Sequence, residues 1–220
     1  MISFTMPVYN AAPYLAQSIK SVLEQTIPDI ELIIVNDGST DSSETIITYF
    51  AEKDPRIRVY TQGNKGSASA LNVGMSKAKG DILLIADADD IQLPERAQLY
   101  LDSMKEVDFA YSSYNYCSIK AVPQYIVHAL PMTKEAIINN NGIPGASIGI
   151  KKEVLSKGLK YREDLRVNYD LGLIIDLYKL KLKYAVIDIP TFNYRVLSSG
   201  MSYSKKNEVD QITKELVSEL

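Results

Sequence analysis

Apolar positions along the first hundred residues follow two periods in alternation. Short β-branched or apolar runs, "ISFTMPV" (2–8), "ELIIVN" (31–36), "IRVYT" (57–61) and "DILLIA" (81–86), read as strands. Between them, apolar residues recur at helical spacing: Leu15, Ile19, Val22 and Leu23, then Ile46, Ile47 and Phe50, then Leu71, Met75 and Ala78. Asp41 followed by Glu44 predicts a capping box at the start of the second helix, with Asp as the cap. Alternating strands and helices imply a parallel sheet, and the unbroken apolar run "ILLIA" implies a strand covered on both faces. That order gathers the C-terminal ends of the strands on one edge, where open α/β sheets bind ligands.

Beyond Asp90 the pattern loosens. Leu93, Ala97, Leu101 and Met104 predict a helix with Pro94 near its first turn. "VDFAYSSYNYCSIKAV" predicts extended, tyrosine-rich chain, and "NNNGIPGAS" (139–147) predicts a loop. "SIGI" reads as a strand, 151–157 as a short helix, and 169–182 as a longer one with Leu171, Ile174, Ile175 and Tyr178 on one side. "YAVIDI" and "TFNYRV" would close a mixed sheet, and Val209, Ile212 and Leu216 give the tail (205–220) an apolar helical face. With no internal repeat, low-complexity segment or clear linker, a single domain is expected over 1–220.

Composition narrows the function classes. The chain is 46% hydrophobic and 23% charged, ordinary for a folded domain. A net charge of −3 leaves no broad basic field, so nucleic acid is not an expected partner. The single cysteine, Cys117, can form neither an internal disulfide nor a Cys-rich metal site; it reads as a core residue and suits a reducing compartment. No run approaches the roughly 18 apolar residues of a membrane span. The start "MISFTMPVYN" lacks the marks of a signal peptide, so a cytoplasmic location is expected, with any membrane contact peripheral.

The chemistry concentrates in "DILLIADADDIQLPERAQ" (81–98), where three carboxylates, Asp87, Asp89 and Asp90, crowd the tip of a strand. Extended chain points residues two apart the same way, so Asp87 and Asp89 face one pocket and Asp90 another. Two carboxylates suit Mn²⁺ or Mg²⁺, with phosphates and water completing the shell. The same acids equally suit helix capping and local turn hydrogen bonds. Asp37 in "VNDGSTD" is left free, by the nearby Ser39 and Asp41, to accept hydrogen bonds from a base or ribose. "PVYN" (7–10) ends the first strand, and "QGNKGSASALNVG" (62–74) offers backbone N–H groups and Lys65 to an anion, a position that a solvated loop lysine fits as well. Together these strand ends carry donors and acceptors suited to a nucleotide diphosphate.

In this order and spacing, "PVYN", "SVLEQT", "ELIIVNDGSTD", "NKGSASALNVG" and "AKGDILLIADADD" resemble the family 2 glycosyltransferases. The match is strong over 1–105 and weaker through "GASIGIKKEVL" and "LRVNYDLGLIIDLYKLKLKYAVIDIPTFNYRV". The resemblance implies the GT-A fold, a Rossmann-like α/β architecture with a mixed, mostly parallel central sheet flanked by helices. Residues 1–105 would form its nucleotide-sugar-binding half, and 106–220 an acceptor-side half with a C-terminal helix. It implies metal-dependent, inverting transfer of a sugar from a nucleotide-diphosphate sugar, UDP-sugar favoured, to a glycan, lipid-linked or protein acceptor. By position, Pro7, Tyr9 and Asn10 would line the base pocket, Asp37 would hold the uracil or ribose side, and Lys65 would lie near the nucleotide. Asp87, Ala88 and Asp89 correspond to the DXD motif, Asp87 towards ribose and metal and Asp89 as the direct metal ligand.

This chain departs from the family pattern twice. Asn168 stands where the family carries its general-base Asp, and Asn cannot take a proton; Asp170 is the nearest substitute, with Glu163 and Asp164 behind it. Leu197 stands where many relatives have a His; Arg195 keeps its family position, either at the diphosphate or as an ordinary strand-end Arg, and His128 is expected to have no catalytic role. Without any Trp, the processive Gln-x-x-Arg-Trp signature is absent, which favours single-sugar transfer. The altered base position leaves a second reading: a donor-binding domain with little or no turnover, part of a larger glycan-assembly protein. A nucleotidyltransferase would need a Gly-rich phosphate loop where "PVYNAAPYL" stands, and a receiver-type domain would place its acids after other strands.

Overall fold

A computed structural model describes residues 1–139, 143–197 and 206–220. Among these, nine strands join in one sheet of order β3-β2-β1-β4-β8-β6-β9-β5, with β7 paired to β6. The first half holds β1 (Ile2–Val8), β2 (Ile30–Asn36), β3 (Ile57–Thr61) and β4 (Ile82–Ile85), all parallel and linked by α1 (Ala12–Leu23), α2 (Ser43–Ala51) and α3 (Ser67–Lys77). All seven residues of β2 are buried, as two-sided coverage requires. In the second half, β6 (Phe109–Cys117) runs parallel to β9 (Tyr184–Arg195). The short β8 (Gly149–Lys151) runs antiparallel between β4 and β6, joining the halves. β5 (Ile91–Gln92) and β7 (Pro123–Val127) pair antiparallel with β9 and β6. The expected mixed, mostly parallel sheet is therefore what forms.

Two apolar cores cover the sheet. One packs Leu15, Ile19 and Val22 of α1, Ala97 and Tyr100 of α4 (Arg96–Ser103) and Met104 just after it against Phe4, Leu32 and Leu84. The other packs Leu71 and Met75 of α3 and Leu173, Ile174 and Leu177 of α6 (Tyr169–Lys179) against Ile33, Leu83 and Ile150. The C-terminal α7 (Lys206–Val217) lays Leu216 and Ile212 on this second core, and the short α5 (Lys134–Ile138) adds Ile137. No helix among the described residues is long and apolar enough to cross a membrane.

Several local expectations change. Leu101 is exposed, and the inner positions of α4 are Arg96, Ala97 and Tyr100, followed by the buried Met104 at its C-cap, because the helix begins two residues after Pro94 and its face is set from there. The capping box does not form: Asp41 instead accepts from Ser43 N (2.9 Å) and from Ala12 N at the start of α1 (3.0 Å), so it ties two helices together. "YAVIDI" and "TFNYRV" are one strand, since Pro190 falls where the ladder with β6 shifts register. The 152–157 segment is 3-10 rather than α-helix. Residues 140–142 of the expected loop and Lys205 of the expected tail helix lie outside the described residues.

Gly74 of α3 rests directly on Thr5 of β1, and a Cβ there would overlap the Thr5 side chain. Replacing Gly74 with Ala adds about 1 kcal/mol of helix propensity but forces an overlap that typically costs about 1–3 kcal/mol. Gly74→Ala is therefore expected to lower the melting temperature by calorimetry; a rise would show that β1 and α3 separate freely.

Candidate active site

The acidic turn grows out of β4. Ala86 N continues the ladder to Thr5 O (3.0 Å), and Asp90 N then turns back to Asp87 O (3.2 Å). Ser18 of α1 donates to Ala88 O (2.9 Å), which turns the middle of the motif inward and leaves Asp87 and Asp89 half-buried on either side. Asp90 points elsewhere, as expected, and is only 1% exposed. One of its oxygens accepts from Arg195 N (2.8 Å), and the other has no partner.

Two buried arginines frame the turn. The Arg195 guanidinium donates to Asp89 O (2.7 Å), Ile119 O (3.1 Å) and Gln17 Oε1 (2.9 Å), and it stacks 4.8 Å from the Tyr14 ring. With each nitrogen engaged, Arg195 is a clamp on the turn's backbone, the ordinary structural role of the two expected for it. Arg96, fully buried, donates to Gln92 Oε1 and Ala146 O and lies 5.1 Å from the Phe192 ring. Arg96 was not foreseen, although a charge sharing a helix face with Ala97, Tyr100 and Met104 is a readable sign of a buried cation.

Among the described residues no ion pair neutralises Asp87, Asp89 or Asp90. Burial, then the charges of Asp89 and Asp170, push Asp87 up to about 7. Burial likewise raises Asp89, and burial with both neighbouring carboxylates holds Asp90 well above the usual range.

Asp170 belongs to the first turn of α6, far along the chain yet close enough to act on Asp87. Its carboxylate accepts from Leu171 N (2.9 Å), and burial raises its pKa. A Cβ at Gly145 would overlap the Asp170 side chain, so the backbone at 145 forms the wall against which this carboxylate rests. Tyr161 and Tyr169 lie beside both acids, and their hydroxyls are pushed up first by burial and then by Asp87 and Asp170. The family-aligned Asn168 turns away, donating to Val209 O (3.0 Å) and Thr213 Oγ1 (2.7 Å) of α7. Glu163 and Asp164 are exposed, and Glu163 accepts from Asn72 (2.9 Å). Of the three substitutes, Asp170 alone lies near enough for its charge to act on Asp87.

At the β1–β3 end the chain holds itself together more tightly than expected. Asp37 is not free: it is 3% exposed and accepts from Gln62 Nε2, Lys65 N and Gly66 N, each at 2.8 Å. The backbone groups at 65–66 expected for an anion are thus spent on Asp37, which shapes the loop that presents the exposed Lys65 side chain. Asn10, at φ 50°, accepts from Thr40 N (2.8 Å) and fixes the 38–41 loop beside the half-buried Pro7 and the exposed Tyr9. The region beyond Leu197 in "YRVLSSGMS" lies outside the described residues until 206.

The model of glycosyl transferase family 2 matches residues 3–158. The chain belongs to glycosyl transferase family 2. An uncharacterized glycosyltransferase of Haemophilus influenzae is 39% identical over 123 residues, 54% of this chain and 49% of that protein. The minor teichoic acid biosynthesis protein GgaB of Bacillus subtilis is 30% identical over 218 residues, 91% of this chain and 23% of that protein. The chain thus spans about half or less of the curated relatives it matches. Among solved structures, residues 1–349 of Staphylococcus aureus TarS in complex with UDP align at TM-score 0.73 and 20% identity, over 98% of this chain and 64% of that one. Mannosyltransferase PcManGT of Pyrobaculum calidifontis, in complex with GDP-Man and Mn²⁺, aligns at TM-score 0.66 and 19% identity, over 93% and 59%. The GT-A fold implied by the sequence motifs is thereby established for this family 2 chain.

The crowded acids make stability depend on pH. Asp87 holds its proton more tightly folded (about 7) than unfolded (3.8), so the stability it contributes is full below 3.8 and lost as pH rises through about 7. In chelator, the wild type is expected to melt lower at about pH 8 than at about pH 6. Asp87→Asn removes that loss and should melt higher at the upper pH, by ~2–4 °C for each kcal/mol recovered. Parallel pH curves for the two proteins would contradict the burial of charge at this turn.

Proposed function

We propose that this family 2 domain transfers one sugar, with inversion at the anomeric carbon, from a nucleotide-diphosphate sugar to a hydroxyl of a glycan, lipid-linked or protein acceptor. The observation that carries the reading is the meeting of the Asp87–Asp89 turn with Asp170, two elements that only the fold brings to one space. UDP-sugar is the favoured donor, since TarS, similar in fold, is solved with UDP and with UDP-GlcNAc. The exposed Tyr9, Pro7 and Asn10 would receive the base, Asp37 would serve the nucleotide mainly by shaping the 62–66 loop, and Lys65 would meet negative charge. The buried lone cysteine suits a cytoplasmic setting.

The donor set fits a divalent cation. Among the described residues no group of three or more His, Cys, Asp or Glu gathers to hold a metal unaided. Asp87 and Asp89 supply two hard carboxylates lacking any ion-pair partner, the number that Mg²⁺ or Mn²⁺ takes when substrate phosphates and water provide the rest. Bound there, the cation would offset charge developing on the departing diphosphate. Asp170 would accept the acceptor hydroxyl's proton as that oxygen bonds to the anomeric carbon and the bond to the diphosphate breaks, and burial keeps it basic enough to do so.

A second reading, donor binding with little turnover, is favoured by Asn168, whose amide is spent on α7 instead of on a substrate. One experiment separates the two. Thermal shift with UDP-, GDP- and dTDP-sugars, with and without Mn²⁺, should show stabilisation by one nucleotide class only with metal present. Asp170→Asn should retain that shift while turnover falls about 10²–10⁴-fold. Donor binding with little or no turnover, unchanged by Asp170→Asn, would support the second reading, and no shift with any donor would remove both.

A further inference from the structure

The middle of the chain supplies a feature that the donor chemistry does not use. Tyr114 and Tyr116 lie two apart on β6 and share a face, Tyr194 pairs with Tyr116 from β9, and Tyr125 pairs with Tyr116 from β7. Their rings are continuous. Tyr114 lies 5.3 Å from the buried Phe192 and 5.6 Å from Tyr194, Tyr194 lies 6.3 Å from Tyr116, and Tyr116 stacks on Tyr125 at 4.6 Å with an interplanar angle of 13°. Exposure rises outward along this ladder, to 54% at Tyr125. On the opposite face, the Asn115 and Asn193 amides bond at 2.8 Å and hold the register of the two strands.

The inner end of the ladder meets the acidic turn. Arg195, the residue after Tyr194, donates its backbone N–H to Asp90 and its Nε–H to Asp89 O, so the tip of β9 is tied to the turn. Tyr114 is accordingly pushed up to about 12 by burial, neighbouring tyrosines and Asp90, and Tyr194 is raised by burial and by Asp90, Asp87 and Asp89. Sheet order adds direction. Pro7, Tyr9, Asp37 and Lys65 cluster at the β1–β3 end, and the tyrosines lie on β6, β7 and β9, with the acids of β4 between.

We infer that the Tyr114, Tyr116, Tyr194 and Tyr125 ladder is a saccharide platform, which guides the sugar rings of an acceptor glycan towards Asp87 and Asp170 from the side opposite the nucleotide. The platform's chemistry selects this occupant. A pyranose presents C–H faces of slight positive charge to the negative face of an aromatic ring, and hydroxyls around its edge to the phenol groups. Flat, uncharged rings tipped with hydroxyls match that pattern. Among the acceptor classes of the proposed function the ladder therefore favours a glycan, and as an acceptor site it rests on that reading.

Binding measurements on the intact chain test it apart from turnover. The probes are UDP with Mn²⁺ and an immobilised panel of neutral hexose and N-acetylhexosamine oligosaccharides. Wild type should bind at least one oligosaccharide, and Tyr125→Ala and Tyr116→Ala should weaken that binding about tenfold with UDP affinity unchanged. Tyr125→Phe keeps the ring and should bind nearly as wild type, which a merely structural role of the hydroxyl would not give. Because the chain has 15 Tyr and no Trp, saccharide binding should also change a near-ultraviolet circular dichroism signal that comes mainly from tyrosine, and Tyr125→Ala should blunt that change. Wild type that binds UDP but no oligosaccharide, or alanine variants that bind oligosaccharide undiminished, would overturn the platform. Tyrosine-dependent saccharide binding without UDP binding would instead sustain the platform and remove the donor reading.

Discussion

Uncompensated negative charge at the end of β4 is the constraint around which this domain is arranged. Among the described residues, three carboxylates within four positions, Asp90 buried and Asp87 and Asp89 half-buried, have no ion pair to neutralise them. The nearest guanidiniums, Arg96 and Arg195, give their hydrogen bonds to carbonyls and side-chain amides. Such a turn is held from several sides, its backbone by Ser18 at Ala88 and by the Arg195 guanidinium at Asp89, and the Asp90 carboxylate by the Arg195 N–H. Burial of unpaired charge opposes folding, and the surrounding packing must outweigh it. A surface that merely capped a helix would have no need of this arrangement.

The rest of the sheet is organised to maintain that turn. The parallel strands β1 to β4 bring four loop ends to one edge, and the antiparallel β8 carries the sheet across to β6 and β9. Through that crossing, a carboxylate on α6 reaches a turn on β4. Arg96 serves the same junction from beneath, with one hand on Gln92 and the other on Ala146, next to the glycine that backs Asp170.

Legibility in the sequence followed burial. Strands β1, β2 and β4 and the apolar faces of α1 and α3 could be read closely, because two-sided burial leaves an unmistakable apolar run, while the edge strand β3 was legible from its β-branched residues. Past Asp90, β5, β7 and β9 are short, edge-like or only partly covered, so β5 and β7 and the unity of β9 left no strong periodic trace. In the site, residue types pointed to the acidic turn, since carboxylates at a strand end are conspicuous, and Asp170 was reached only through the family resemblance, as the acid nearest to Asn168. What pattern reading could not supply was which polar groups are already spoken for. Asp37 read as free and Arg195 as open to either of two roles, and both, like Asn168, are committed to other parts of the chain through hydrogen bonds that only tertiary structure defines.

The bare backbone at position 145 carries a lesson for sorting kindred sequences. The space beside Gly145 is filled by the Asp170 side chain, so the two positions are a lock and its key. A homologue with a bulkier residue at the first position has no room for an acid seated as Asp170 is at the second, whereas one that keeps the glycine leaves that space open. A single missing methyl group thus becomes a fingerprint by which members able to seat an acid at this point of α6 can be recognised from their letters alone.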